Sequence, residues 1–131
     1  MSEIDVRQKG YDYDTLRRLW SEWRQIGSTY YGDYYPLTAF SRKTDVWMAW
    51  QFNNHEKGDG VIEAFRRPGS EQEVMNLKLR GLNPEGKYRF SVIDGPTLDT
   101  SELTGRQLMS IGLPVRLRVR PEVAVIKYER L

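Results

Sequence analysis

Residues 14–27 carry apolar side chains at three- and four-residue spacing: Leu16, Leu19, Trp20, Trp23 and Ile26. That period puts them on one stripe of an α-helix, with Arg17, Arg18, Ser21, Glu22, Arg24 and Gln25 covering the other side. Asp14 is a suitable N-cap and Gly27 a natural stop. Two tryptophans, two leucines and an isoleucine are a heavy apolar load for one helix, each aliphatic side chain being worth roughly 1.5–3 kcal/mol when fully buried. The stripe therefore predicts a large packing partner.

After Pro36 the period falls to two. In VWMAWQF, Val46, Met48, Trp50 and Phe52 point one way, and Trp47, Ala49 and Gln51 the other. NNHEKGDG reads as a hairpin loop leading into VIEAFRR. NLKLRGL alternates Leu77 and Leu79 with Lys78 and Arg80, and NPEG at 83–86 is a turn by composition. KYRFSVID places Tyr88, Phe90 and Val92 on one face; VRLRVR places Val115, Leu117 and Val119 inward and three arginines outward. EVAVIKYER is apolar on both faces between Val123 and Ile126, as expected of a central strand. In TGRQLMSIG, Thr104 and Gln107 have capping-box spacing, which predicts a short helical turn across one end of the sheets. The whole predicts a mainly β fold, an antiparallel two-sheet β-sandwich of Greek-key type preceded by one amphipathic helix. Residues 1–36 form a helical lead-in with a tyrosine-rich joint, and residues 37–131 the sandwich.

At 131 residues the chain has the length of one domain with a core of its own. Twenty basic against eighteen acidic residues leave a net charge of +2, which gives no clustered basic footprint for nucleic acid or an anionic membrane. No apolar run reaches the roughly 20 residues of a membrane span. The polar start MSEIDVRQKG lacks the core of a secretory signal, and the cytoplasm is the expected location. The absence of cysteine removes disulfides and thiolate metal sites, and a single histidine, His55, removes histidine-pair chemistry. No metal or cofactor is expected.

The candidate chemistry is sparse. STYYGDYYP gathers Tyr30, Tyr31, Tyr34 and Tyr35 around Gly32 and Asp33. These rings, with Asp33 to accept a hydroxyl, could form a carbohydrate platform; equally, four amphipathic tyrosines suit a helix-to-sheet joint with rings buried and hydroxyls wet. The joint is the favoured reading. Trp47 opposes the apolar set of its strand, so either the helix covers its face or it is an exposed ring for a ligand; cover is favoured. His55, in the polar loop beside Glu56, is read as solvent-facing, and Glu56 with Asp59 lacks the alternating oxygens of a calcium loop. Glycoside hydrolysis requires two facing carboxylates. Asp33, Asp45, Glu63, Asp94, Asp99 and Glu102 are available, but none lies in a recognisable motif. The arginines of FRRPG and VRLRVR read as solvated strand faces. No catalytic residue is assigned.

Taken in order, YYGDYYPL after an amphipathic helix, VWMAWQF, LRGLNPEGKYRF, LTGRQLMSIGLPV and a final hydrophobic strand resemble the C-terminal end of α-galactosidase-like enzymes of the melibiase group, glycoside hydrolase family 36. The matching positions are Gly81, Leu82, Pro84 and Tyr88, then Gly105, Leu108, Met109, Gly112 and Leu113. The resemblance runs from about residue 12 to 131. It implies a C-terminal β-sandwich following the closing helix of a (β/α)8 barrel that carries the catalytic aspartates. Such a barrel takes about 250 residues, so none of the family's catalytic residues maps onto this sequence. The resemblance implies that the chain alone is not an enzyme, that its parent is a glycoside hydrolase of carbohydrate metabolism, and that its partner is the barrel of the same parent chain. Leu16, Leu19, Trp20, Trp23 and Ile26 would be the domain interface, or, left open, a surface for self-association. An independent carbohydrate-binding module using exposed Tyr and Trp rings is the alternative function.

Overall fold

The computed structural model describes residues 13–38, 46–98 and 100–131, with the backbone alone for residues 13–17, 19 and 20. The period-3.6 segment is helix α1, Tyr13–Tyr30. Its start places Asp14 inside the helix, so that residue does not cap it. Nor does Gly27 end it. Gly27 is buried within the last turn, and a Cβ there would lie 2.0 Å from the ring of Phe52. The stop is Gly32, which adopts φ 93°, while the amides of Tyr31 and Gly32 both close on the Gly27 carbonyl. A missing side chain is used here for close approach to a sheet. The contacts described between helix and strands lie towards its C-terminal end, where Gly27 meets Phe52 and the Arg24 guanidinium stands over Tyr34.

The strands are β1 (Asp33–Pro36), β2 (Trp47–Asn54), β3 (Asp59–Arg66), β4 (Val74–Leu77), β5 (Lys87–Asp94), β6 (Glu102–Thr104), β7 (Leu113–Arg116) and β8 (Glu122–Arg130). They form a six-stranded sheet in the order β1-β2-β3-β8-β5-β6 and a two-stranded sheet β4-β7, with every pair antiparallel. β8 returns to lie between β3 and β5, the Greek-key crossover. Its apolar character on both faces follows from that central place. The tyrosine-rich joint supplies β1, an edge strand paired with β2.

The main core lies between the sheets and holds Trp47, Ala49, Ile62, Ala64, Leu77, Leu79, Tyr88, Phe90, Leu113, Val115, Leu117, Ile126 and Tyr128. Trp47 thus faces the second sheet and not the helix. It is 2% exposed, and its indole N–H donates to the Gln72 carbonyl at 2.8 Å. The expectation of helix cover has the faces reversed: Met48, Trp50 and Phe52, with Val61 and Phe65, form a second cluster on the outer face of the large sheet, where Tyr31 and Tyr34 pack. Both faces of β2 are apolar, and alternation alone cannot say which meets which layer.

Two further expectations are corrected. Arg66 and Arg67 are buried, not solvated. Arg66 shares the inward face of β3, and its guanidinium donates to the carbonyls of Ser70 and Leu117, joining the β3–β4 turn to the end of β7. Five donors on a planar group let an arginine satisfy several carbonyls where a strand pattern predicts a solvent face. Val119 is 52% exposed, because β7 ends at Arg116 and the inward alternation stops at Leu117.

Helix α2 (Gly105–Ser110) has the predicted capping box, Gln107 N–H donating to Thr104 Oγ1 and Thr104 N–H to Gln107 Oε1. It rests on the 83–86 turn: Gly105 N–H donates to the Gly86 carbonyl at 2.8 Å and Arg106 N–H to that of Pro84 at 3.2 Å. Leu108 enters the main core from this end.

The Gly27–Phe52 contact yields a local prediction. Gly27→Ala forces ring and helix apart, and overpacking of this kind costs about 1–3 kcal/mol. Hydrogen exchange should then show protection in residues 22–30 falling by about tenfold or more while β3, β8 and β5 keep theirs. Unchanged protection of α1 would contradict the contact.

Candidate functional site

Two surfaces result from how α1 meets the sheet. The first is the stripe of α1 itself. Among its described apolar side chains Trp23 is 39% and Ile26 49% exposed, so neither is buried by the sandwich. Leu16, Leu19 and Trp20 have side chains outside the described residues. The second surface is a cleft of about 300 Å³ where the end of α1, the link into β1 and the β2–β3 hairpin loop meet.

The cleft owes its shape to two short-range devices. Gly32 at positive φ turns the chain from helix to strand, and β1 registers Asp33 opposite Asn53, at the end of β2 next to the hairpin. The hairpin loop is braced from within and behind. Asn54 Oδ1 accepts from Lys57 N–H at 3.1 Å, the Asn54 carbonyl from Gly58 N–H at 2.8 Å, and Arg130 N–H reaches the Gly58 carbonyl. Asn54, His55 and Glu56 therefore stand across from Tyr30 and Asp33 in one cleft. His55 is exposed, as its loop predicts, yet it shares a wall with the tyrosine cluster. That juxtaposition is not legible in sequence, since His55 lies 22 positions beyond Asp33 and only the β1–β2 register closes the gap.

The four tyrosines divide. Tyr30 is 74% exposed. Tyr34 lies 5.5 Å from the ring of Phe52, and the Arg24 guanidinium stands 5.7 Å from the Tyr34 ring, which ties helix to sheet. Tyr31 is half-buried on the same cluster. Tyr35 stacks under Arg80 and packs its hydroxyl against Gly81. Of the aromatic candidates, Tyr30 alone presents an open ring; Trp47 presents none.

A buried polar chain lies between the layers nearby. Gln51 Nε2 donates to the Arg80 carbonyl at 2.9 Å and to Tyr128 Oη at 2.8 Å, Arg80 N–H donates to Gln51 Oε1, and Tyr128 O–H donates to Asn53. Asn53 in turn donates to the Gly81 carbonyl. Burial pushes the Tyr128 phenol above its ordinary value, so it remains a neutral donor. The chain is a fastening for the 78–82 segment, which explains a glutamine on an inward strand face.

For catalysis the geometry offers little. Asp33 and Glu56 are exposed, and a glycosidase acid needs a low-dielectric pocket to keep its proton near neutrality. Glu63 is 4% exposed, and desolvation pushes its carboxyl up to about 8, partly opposed by the neighbouring Trp50 indole. Its cross-strand neighbours are Trp50 and Val125, so no second carboxylate faces it across the ladder. Asp45 and Asp99 lie outside the described residues. Among the described residues no three histidine, aspartate or glutamate side chains are placed to hold a metal ion, and no helix is long and apolar enough to cross a membrane.

The landmark residues of the C-terminal motifs have local structural roles. Gly81 and Gly112 adopt φ 71° and 104°. A Cβ at Gly105 would lie 2.0 Å from the Asn83 carbonyl oxygen. Tyr88 is buried, and its hydroxyl accepts from Asn83 N–H at 2.9 Å, tying β5 to the turn that carries α2.

No curated protein sequence matches the chain. Its structure is similar to the galactosidase domain of α-galactosidase-sucrose kinase AgaSK, at 19% identity and a TM-score of 0.61, over 89% of this chain and 16% of that one. It is also similar to the GH36 α-galactosidase AgaB of Geobacillus stearothermophilus, at 15% identity and 0.61, over 90% and 16%. The α-galactosidase of Lactobacillus brevis matches at 13% identity and 0.60, over 100% of this chain and 17% of that one. The chain thus spans about one sixth of the length of these proteins. Residues 47–124, more than half of the chain, match the glycosyl hydrolase family 36 C-terminal domain. The expectation from the ordered motifs holds, and the chain belongs to the family of glycosyl hydrolase family 36 C-terminal domains.

Proposed function

We propose that this domain is a non-catalytic accessory unit of an α-galactosidase-like glycoside hydrolase and stabilises a (β/α)8 catalytic barrel of the same parent chain by packing on it. The observation that carries the reading is α1. Among the described apolar side chains of its stripe, Trp23 and Ile26 remain open and are not covered by the sandwich. A stripe with that load seeks a further apolar body. Supporting it, the fully buried carboxyl group among the described residues is Glu63, and its cross-strand neighbours are Trp50 and Val125, not a second carboxylate.

Two measurements test the reading. The 131-residue chain is expected to release no product from an aryl α-galactoside above the blank. In a parent polypeptide that carries the barrel, Trp23→Asp with Ile26→Asp should lower the barrel's thermal midpoint by several degrees, as a loss of about 2–4 kcal/mol does. Saturable hydrolysis by this chain, or an unchanged midpoint in the variant parent, would overturn it.

A further inference from the structure

From the cleft at the end of α1 we infer a binding site for a neutral polyhydroxylated ligand the size of one sugar ring. The inference does not depend on the accessory reading, since the cleft lies beside the helix and not on its apolar stripe.

The lining selects the ligand class by what it excludes. The described walls include two carboxylates, Asp33 and Glu56, and no basic side chain other than His55. They also stand at the C-terminal end of an 18-residue helix whose last turn has no basic residue. The carbonyl end of a helix is the negative end of its dipole, so an anion is repelled. A metal ion lacks its ligand set, because no cluster of three suitable side chains exists among the described residues. An apolar ligand finds a single open ring, Tyr30, in an otherwise polar wall.

A sugar fits what remains. Carboxylates accept paired hydroxyl donors, and an exposed tyrosine face covers the C–H surface of a pyranose. Neighbouring groups are mixed in character. Ser28 and Thr29 donate their hydroxyl protons back to the Arg24 and Gln25 carbonyls and so turn lone pairs outward as acceptors. His55 offers a donor and an acceptor on one ring. At about 300 Å³ the cleft is at the lower end of ligand sites, matching one ring and not an oligosaccharide. The braced hairpin and the β1–β2 register hold Asp33 and Glu56 in place without ligand. Such preorganisation lowers the cost of binding.

One platform ring implies weak affinity, a dissociation constant on the order of 1 mM. The test titrates the full 131-residue chain with methyl α-D-galactopyranoside and methyl α-D-glucopyranoside while amide NMR shifts are followed. Saturable shifts are expected at residues 30–33 and 54–57 with at least one glycoside. Tyr30→Ala and Asp33→Asn should each weaken binding by about tenfold or more while the amide spectrum of the β-sheet core remains that of the parent chain. Because Tyr30 and Asp33 are both exposed, these changes leave the core untouched. Absence of saturation with both sugars overturns the inference. So do shifts that survive in both variants, or saturation by L-arginine amide in place of sugar, which would make the cleft a socket for a cationic side chain.

Discussion

Replacing Glu63 by glutamine (Glu63→Gln) is expected to stabilise the domain at pH 7–8 by about 2–4 kcal/mol and to flatten its pH dependence. The cause is position. Glu63 sits in mid-β3 on the outer face, between Trp50 and Val125 across the ladder and beside Val61 and Phe65 along it, at 4% exposure. Its Oε2 has no hydrogen-bond partner. Removal of water disfavours the ionised form and pushes the carboxyl up to about 8, and the Trp50 indole offsets only part of this. The folded state therefore holds a proton that the unfolded chain releases above its ordinary value of 4.5. Where the native state binds more protons, stability falls as pH rises, here from about 4.5 to about 8, and levels off once both states are ionised. The full differential between the two values is at most about 5 kcal/mol, and penetration of water reduces it. Glutamine keeps the shape and a donor-acceptor pair without the charge. Urea midpoints at pH 5, 6, 7 and 8 should decline for the parent chain and remain level for the variant, with equal slopes in denaturant. Parallel curves would show that Glu63 does not stay protonated in the folded domain.

Gly105→Ala should cost about 3 kcal/mol, at the upper end of what overpacking produces. The added carbon would meet main chain, 2.0 Å from the Asn83 carbonyl oxygen, 2.8 Å from its carbon and 3.3 Å from Pro84 Cα. Main chain cannot swing aside as a side chain can. Here it is held further by the Gly105–Gly86 and Arg106–Pro84 hydrogen bonds and by Tyr88, whose hydroxyl takes the Asn83 amide. Helix α2 has to lift, withdrawing Leu108 from the core and breaking the bond from Leu79 N–H to its carbonyl. The cost is then overpacking together with a partly emptied site. Ser110→Ala is the control, because the same helix gains a better helix former at an exposed position and should change by less than about 0.5 kcal/mol. A Gly105→Ala midpoint as close to the parent as that of Ser110→Ala would refute the account of α2's seat.

Much of this architecture is legible in the chain. Strict alternation in KYRFSVID located β5 and its inward set, the two-faced run near the C-terminus marked β8 as central, and Thr104 with Gln107 announced the cap of α2. These signals are local: a strand shows its faces every second residue, and a cap closes within one turn. The legibility stops where the partner of a surface is another layer. Met48, Trp50 and Phe52 make as good an inner face as Trp47, Ala49 and Gln51, and the outcome depends on which side the β4-β7 pair crosses. Gly27 reads as a stop because glycine is a poor helix residue, and its use as a point of contact with Phe52 requires a ring brought in from 25 positions away.

The sequence alone therefore determined the helices, six of the eight strands, the two periods and the family, all of which rest on short-range spacing along one chain, while the short edge strands β1 and β6 carry no such pattern. The tertiary structure decided the direction of β2's faces, the burial of Arg66 and Glu63, the openness of Trp23 and Ile26, and the meeting of Tyr30, Asp33, His55 and Glu56 in one cleft. Each of these depends on strand register and layer packing, which bring together residues whose separation along the chain carries no periodic trace.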